Sequence, residues 1–125
     1  MEYTDAVAYV ESLGKFGIHL GMERIQGLAA LLDHPERKIR TVHVTGTNGK
    51  GSVTAFLTSI LKESGRRVGT YTSPHFVRYN ERICLDGQEI SNEDFAAVTE
   101  KTKDALDKWL AGGGEQPTPF EFLTA

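Results

Sequence analysis

At 125 residues, with 39% hydrophobic and 25% charged side chains, the chain is long enough for one domain with a real core and too short for two ordinary ones. That balance excludes a disordered chain, and no apolar run approaches the roughly 20 residues of a membrane helix. The formal net charge of −3 carries no general nucleic-acid footprint, so basic pairs such as Arg37-Lys38 and Arg66-Arg67 read as solvated edges. The acidic start Met1-Glu2-Tyr3-Thr4-Asp5 lacks a basic presequence, and Cys84 stands alone, without a disulfide partner or a cysteine metal cluster. A cytoplasmic protein with neither nucleic acid nor membrane as partner is expected.

In chain order, Thr4 is the expected N-cap of a first helix whose Ala6, Tyr9, Val10 and Leu13 share one face. Gly14 and Gly17 end it and open a loose stretch to Gly21. A second helix is predicted over Met22 to Leu32, with Met22, Ile25, Ala29 and Leu32 inward, and Pro35 prevents its continuation. Ile39 to Thr45 is β-branched and alternating, which predicts a strand. Ser52 to Ser64 predicts a helix with an apolar stripe of Val53, Phe56, Leu57, Ile60 and Leu61, and Gly65 stands where a left-handed C-cap belongs. Arg67 to Thr72 predicts a second strand. Strand, helix and strand within about thirty residues imply a parallel βαβ unit.

Ile83-Cys84-Leu85 and Gln88-Glu89-Ile90 flank Asp86-Gly87, a two-residue hairpin signal. Ser91 can cap a long helix carrying Phe95, Val98, Ala105, Leu106 and Trp109, which Gly112-Gly113-Gly114 ends. Thr118-Pro119-Phe120-Glu121 combines an N-cap, a proline at N1 and a glutamate at N3, the pattern of a capping box. Two parallel strands make too small a sheet, and the last apolar helix runs to Ala125. The chain therefore reads as the amino-terminal part of a longer protein.

The segment Gly46-Thr47-Asn48-Gly49-Lys50-Gly51-Ser52 lies between the predicted strand and the predicted helix. A Gly-rich turn in that place aims backbone N–H groups and the positive end of a helix dipole at one point, where a phosphate binds. Lys50 can reach the β- and γ-phosphates of ATP, and Ser52 can offer a hydroxyl to Mg²⁺. The spacing departs from the strict G-x-x-x-x-G-K-[ST] pattern, because Gly51 separates Lys50 from Ser52. Another P-loop phosphotransferase or NTPase, or a noncatalytic nucleotide-binding module, are the competing readings of the loop.

Val44 to Ser52 resembles the loop of the Mur ligase superfamily. Within it, Thr72-Ser73-Pro74-His75, Tyr79-Asn80-Glu81-Arg82-Ile83, Ile18-His19-Leu20-Gly21-Met22-Glu23-Arg24-Ile25 and Thr118-Pro119-Phe120-Glu121 resemble the folylpolyglutamate and dihydrofolate synthases. The resemblance implies an α/β, P-loop NTPase-like three-layer parallel sheet with flanking helices, of which residues 1–125 are an incomplete amino-terminal portion with a small β-hairpin. It implies that ATP phosphorylates a folate or dihydropteroate carboxylate and that the amine of L-glutamate then displaces phosphate. By the same resemblance Lys50 acts on the transferring phosphoryl group and Ser73 is a Mg²⁺ ligand. Gly17, Ile18, His19 and Leu20, with Thr118, Pro119, Phe120 and Glu121, would meet the pterin end of the substrate. Read alone, Ser73 is a turn or cap residue before Pro74, Phe120 and Phe122 are core candidates, and Glu121 closes a capping box. The full-length protein is expected to be a monomer, and residues 1–125 by themselves inactive, because a second, acidic Mg²⁺ ligand and the glutamate site would lie further along.

Overall fold

The computed structural model describes residues 1–16 and 20–125 as an α/β chain in two compact units, one formed by 1–41 with 93–125 and the other by 42–92. Gly17, Ile18 and His19, three of the candidate substrate residues, lie outside the described residues.

The first unit is helical. Helix α1 (Tyr3–Ser12) starts one residue before the predicted cap, with Glu2 at the N-cap and no side-chain capping bond, so Thr4 sits inside the first turn. Its predicted face is correct in direction: Ala6 and Val10 are fully buried and Leu13 is buried just beyond. A 3-10 turn over Leu13–Phe16 follows. Helix α2 (Glu23–Leu31) is rotated by about one residue from the expected face. Arg24 and Leu28 point inward, whereas Met22 is 62% exposed. The apolar periodicity could not reveal this, because the side chain that leads the buried stripe is a charged one with a distant partner.

Helices α4 (Asn92–Ala111) and α5 (Pro119–Thr124) complete this unit. Phe95, Ala96, Ala105 and Leu106 of α4 join Phe122 of α5, Leu28 of α2 and the α1 residues in one core. Tyr3 meets Phe95 edge-on at 5.7 Å between centroids and Tyr9 meets Phe122 at 5.5 Å, the T-shaped geometry that aromatic quadrupoles favour. Val98, expected inward, is 45% exposed. The capping box at Thr118 is present in full: Thr118 Oγ1 accepts from the Glu121 N–H at 3.2 Å, and the Glu121 carboxylate accepts from the Thr118 N–H at 2.9 Å.

The second unit contains helix α3 (Lys50–Glu63) and a three-stranded sheet ordered β1 (Gly69–Tyr71), β2 (Ile83–Leu85), β3 (Gln88–Glu89). Both strand pairs are antiparallel, with Thr70 opposite Cys84 and Cys84 opposite Glu89. The hairpin forms where Asp86-Gly87 predicts it, with both residues at positive φ, 50° and 82°, as a two-residue turn of this hand requires. Gly65 closes α3 at φ 84°.

Two expectations are not met among the described residues. Residues 39–45 form no ladder; Ile39 and Val42 are 67% and 70% exposed. β-branched residues favour an extended backbone, but a strand exists only where a partner takes its hydrogen bonds. The parallel βαβ pair is accordingly not formed, and the described partner of β1 is antiparallel β2. The apolar stripe of α3 is also largely uncovered, with Val53, Phe56 and Ile60 between 45% and 68% exposed. Among the described residues no helix is long and apolar enough to cross a membrane.

Candidate functional site

The phosphate-loop residues and Ser73 fall in the second unit; Leu20 and Thr118–Glu121 fall in the first.

In the loop, Gly46 has φ 150° and Gly49, the N-cap of α3, is left-handed at φ 79°. A side chain at either position would strain the backbone. The helix begins at Lys50, two residues earlier than the sequence predicts, and its first internal bond runs from the Val53 N–H to the Gly49 carbonyl at 3.0 Å. The N–H groups of Lys50, Gly51 and Ser52 thus belong to the first turn, where an α-helix offers donors no carbonyl of its own. All seven loop residues are exposed. The Lys50 ammonium folds back across the loop and donates to the Gly46 carbonyl at 2.6 Å, so the cation sits over the turn.

Gly51 differs from its neighbours. It lies within α3 at no unusual φ, and a Cβ there would meet nothing within 4 Å. Neither the backbone nor the packing of this chain explains a glycine that disfavours the helix by about 1 kcal/mol relative to alanine. Open space beside a helix N-terminus is what the close approach of an anion would require. Gly51→Ala is therefore expected to stabilise α3 slightly, within about 1 kcal/mol, while weakening nucleotide binding. Thermal melting and nucleotide titration read the two separately, and a variant that keeps both affinity and stability would remove the loop glycine from the site.

Ser73 follows β1 and is exposed. Among the described residues neither its hydroxyl nor that of Ser52 is engaged in a hydrogen bond, and no group of three or more His, Cys, Asp or Glu is gathered for a metal. Both hydroxyls are thus free to take a further partner. Hydroxyl oxygen suits Mg²⁺, which keeps several waters and takes its remaining oxygens from substrate phosphates.

The loop after Ser73 is organised by Glu81. The Glu81 carboxylate accepts from the N–H groups of Phe76, Val77 and Arg78 at 3.0, 2.8 and 2.6 Å. These bonds, that from Arg78 foremost, hold its carboxyl below the usual glutamate range. Phe76 and Val77 are 97% and 87% exposed on this pinned backbone. A depressed carboxyl adds stability above the ordinary glutamate pKa and loses it as pH falls through the lowered value. Glu81→Gln should therefore lower hydrogen-exchange protection of the 76, 77 and 78 amides at neutral pH, as acidification should in the parent. Unaltered protection would mean that the loop is held by other contacts. Arg78 and Arg82 have local partners: Arg78 donates twice to Glu89, at 3.0 and 2.7 Å, and Arg82 donates to His75 Nδ1 at 2.8 Å.

In the first unit Leu20 is 95% exposed and Phe120 54% exposed, whereas Phe122 is core, as its position on α5 predicts. Arg24, only 2% exposed, places its guanidinium on Glu121: Nε on Oε2 at 3.0 Å and Nη2 on Oε1 at 2.9 Å. Glu115 approaches the same guanidinium at 3.5 Å. The Arg24 hydrogen bonds lower the Glu121 pKa, and the Glu121 bonds raise that of Arg24. In the sequence Arg24 is one residue of the Ile18–Ile25 motif. Its one legible sign was a lone arginine four residues before an inward leucine.

No family model matches the chain. The chain is 47% identical over 98% of its length to the dihydrofolate synthase/folylpolyglutamate synthase of Bacillus subtilis, covering 29% of that protein. It is 40% identical over its full length to the folylpolyglutamate synthase of Lacticaseibacillus casei, again covering 29%. The fold is similar to the folylpolyglutamate synthetase structure from Lactobacillus casei, with a TM-score of 0.89 and 37% identity, over 99% of this chain and 31% of that one. An FPGS–AMPPCP–folate complex matches at a TM-score of 0.88 and 36% identity, over 99% of this chain and 30% of that one. The chain thus spans less than a third of the length of the relatives it matches.

Proposed function

Because the chain is homologous along its length to part of the folylpolyglutamate and dihydrofolate synthases, we propose that it supplies the nucleotide-binding segment of an ATP-dependent acid–amino-acid ligase. The observation that carries this reading is the loop itself: two glycines at positive φ, a helix N-terminus beginning at Lys50, an ammonium over the turn and open space at Gly51.

In this reading Gly46 to Ser52 cradle the phosphates of ATP. The Lys50 ammonium exchanges its neutral carbonyl partner for phosphate oxygens, a stronger, charge-assisted bond. A carboxylate oxygen of the folate or dihydropteroate attacks the γ-phosphorus and ADP leaves. The amine of L-glutamate then attacks the acyl carbon, phosphate departs, and the amine gives up a proton as the amide forms. ATP is needed because a carboxylate oxygen is a poor leaving group until phosphorylated. The Ser52 and Ser73 hydroxyls would hold Mg²⁺, which when bound offsets charge on the phosphates. Leu20 and Thr118 to Glu121 would receive the pteridine ring, and Gly17, Ile18 and His19 are candidates by sequence alone.

Residues 1–125 are then the amino-terminal part of the ATP-binding domain of a monomeric cytoplasmic protein. Residues 39–45 become a strand of a three-layer parallel sheet once other segments supply ladder partners, which the exposed face of α3 supports. The isolated 125 residues are expected to perform no ligation.

The test is product analysis with the full-length protein, ATP, L-glutamate and either folate or dihydropteroate. Glutamyl-folate or dihydrofolate formed with ADP and phosphate is the expected result. Phosphorylation of an acceptor without amide formation would mean a phosphotransferase, and nucleotide binding without turnover a noncatalytic module.

A further inference from the structure

Two segments 97 residues apart, around Arg24 and around Glu121, are joined in the first unit by one fork of hydrogen bonds. Oε2 of Glu121 accepts from Arg24 Nε and from the Thr118 N–H, and Oε1 accepts from Arg24 Nη2. The same carboxylate therefore closes the cap of α5 and receives a buried guanidinium from α2. Phe120, one residue before Glu121 in the first turn of α5, is left 54% exposed, and Leu20, just before α2, 95% exposed.

We propose that Arg24 is a positioning residue of the pteridine-binding face: its bidentate grip on Glu121 holds the turn that presents Phe120 at a fixed distance from the segment that presents Leu20. This deepens the proposed function and rests on it. The chemistry divides accordingly. Ring recognition falls on the half-exposed side chain of Phe120, whose aromatic ring suits a flat heteroaromatic ligand. The Glu121 carboxylate, taken up by the fork and the cap, acts through structure. A planar guanidinium suits this role because two parallel bonds fix angle as well as distance, which a lysine ammonium cannot do. A six-residue helix has little stability of its own, so the tie from α2 is what makes its first turn a defined surface.

The experiment uses the full-length protein and three variants: Arg24→Lys, Glu121→Gln and Phe120→Leu. Each is read by the KM for the pteridine-bearing acid, the KM for Mg-ATP, and the melting temperature. Arg24→Lys and Glu121→Gln should raise the pteridine-acid KM about tenfold and leave the Mg-ATP KM within about twofold. Phe120→Leu removes a half-exposed ring, so it should melt like the parent and show the same selective rise. Equal changes in both KM values, or an unchanged pteridine-acid KM in variants that melt like the parent, would overturn the proposal. Failure of the parent protein to form any glutamyl product would overturn the functional reading instead. Fluorescence titration with folate would then still test the clamp, which predicts about tenfold weaker binding to Arg24→Lys. Undiminished folate affinity would sink it.

Discussion

In the full-length protein, Lys50→Ala is expected to lower glutamate ligation by at least about a hundredfold while leaving the melting temperature close to the parent's. The fold should tolerate the change because Lys50 is exposed at the first residue of α3 and, among the described residues, its side chain bonds only to the Gly46 carbonyl within the same loop. The chemistry should not. In the proposed reaction the ammonium balances charge on the transferring phosphoryl group, and alanine leaves that charge to backbone dipoles and metal alone. Steady-state formation of ADP and of the glutamyl product, measured beside a thermal melt, decides the matter. A folded variant with near-parental turnover would mean that the loop is not the ATP site. Equal loss of ADP formation and amide formation is the expected pattern, since activation precedes attack by the amine.

Gly27→Ala is expected to reverse the usual sign of a helical glycine-to-alanine change. In an open helix position this substitution stabilises by up to about 1 kcal/mol. Here the added methyl would overlap the benzo edge of the Trp109 indole. The ring cannot simply retreat: a Cβ at Gly114 would overlap the pyrrole side of the same indole, and Trp109 Nε1 donates to the Glu115 carbonyl at 2.8 Å. Overpacking of this kind costs about 1–3 kcal/mol, which lowers the melting temperature of a small domain by about 4–8 °C per kcal/mol. The comparison with Gly51→Ala is informative, because the two helical glycines differ in what surrounds them. Gly27→Ala melting at or above the parent would show that α2 and α4 have room to separate.

Features decided by neighbouring residues were legible in the sequence. The Asp86-Gly87 hairpin, the Thr118–Glu121 capping box, the left-handed Gly65 and the glycine turn before α3 all form where the residue types demand, because each depends on bonds spanning a few residues. The inward face of α1 followed from periodicity in the same way. Contacts between distant segments were not legible. No local pattern announces that Arg24 is buried, since its burial is made possible by a carboxylate 97 residues away. The glycine at 27 acquires its meaning from an indole on another helix. Residues 39–45 have the composition of a strand, yet a ladder is a property of two segments. The glycine turn before α3 was readable because its conformation depends on its own residues and on the helix that follows it. What else surrounds a phosphate there is decided by tertiary structure, since charge and metal oxygens must converge from separate strands.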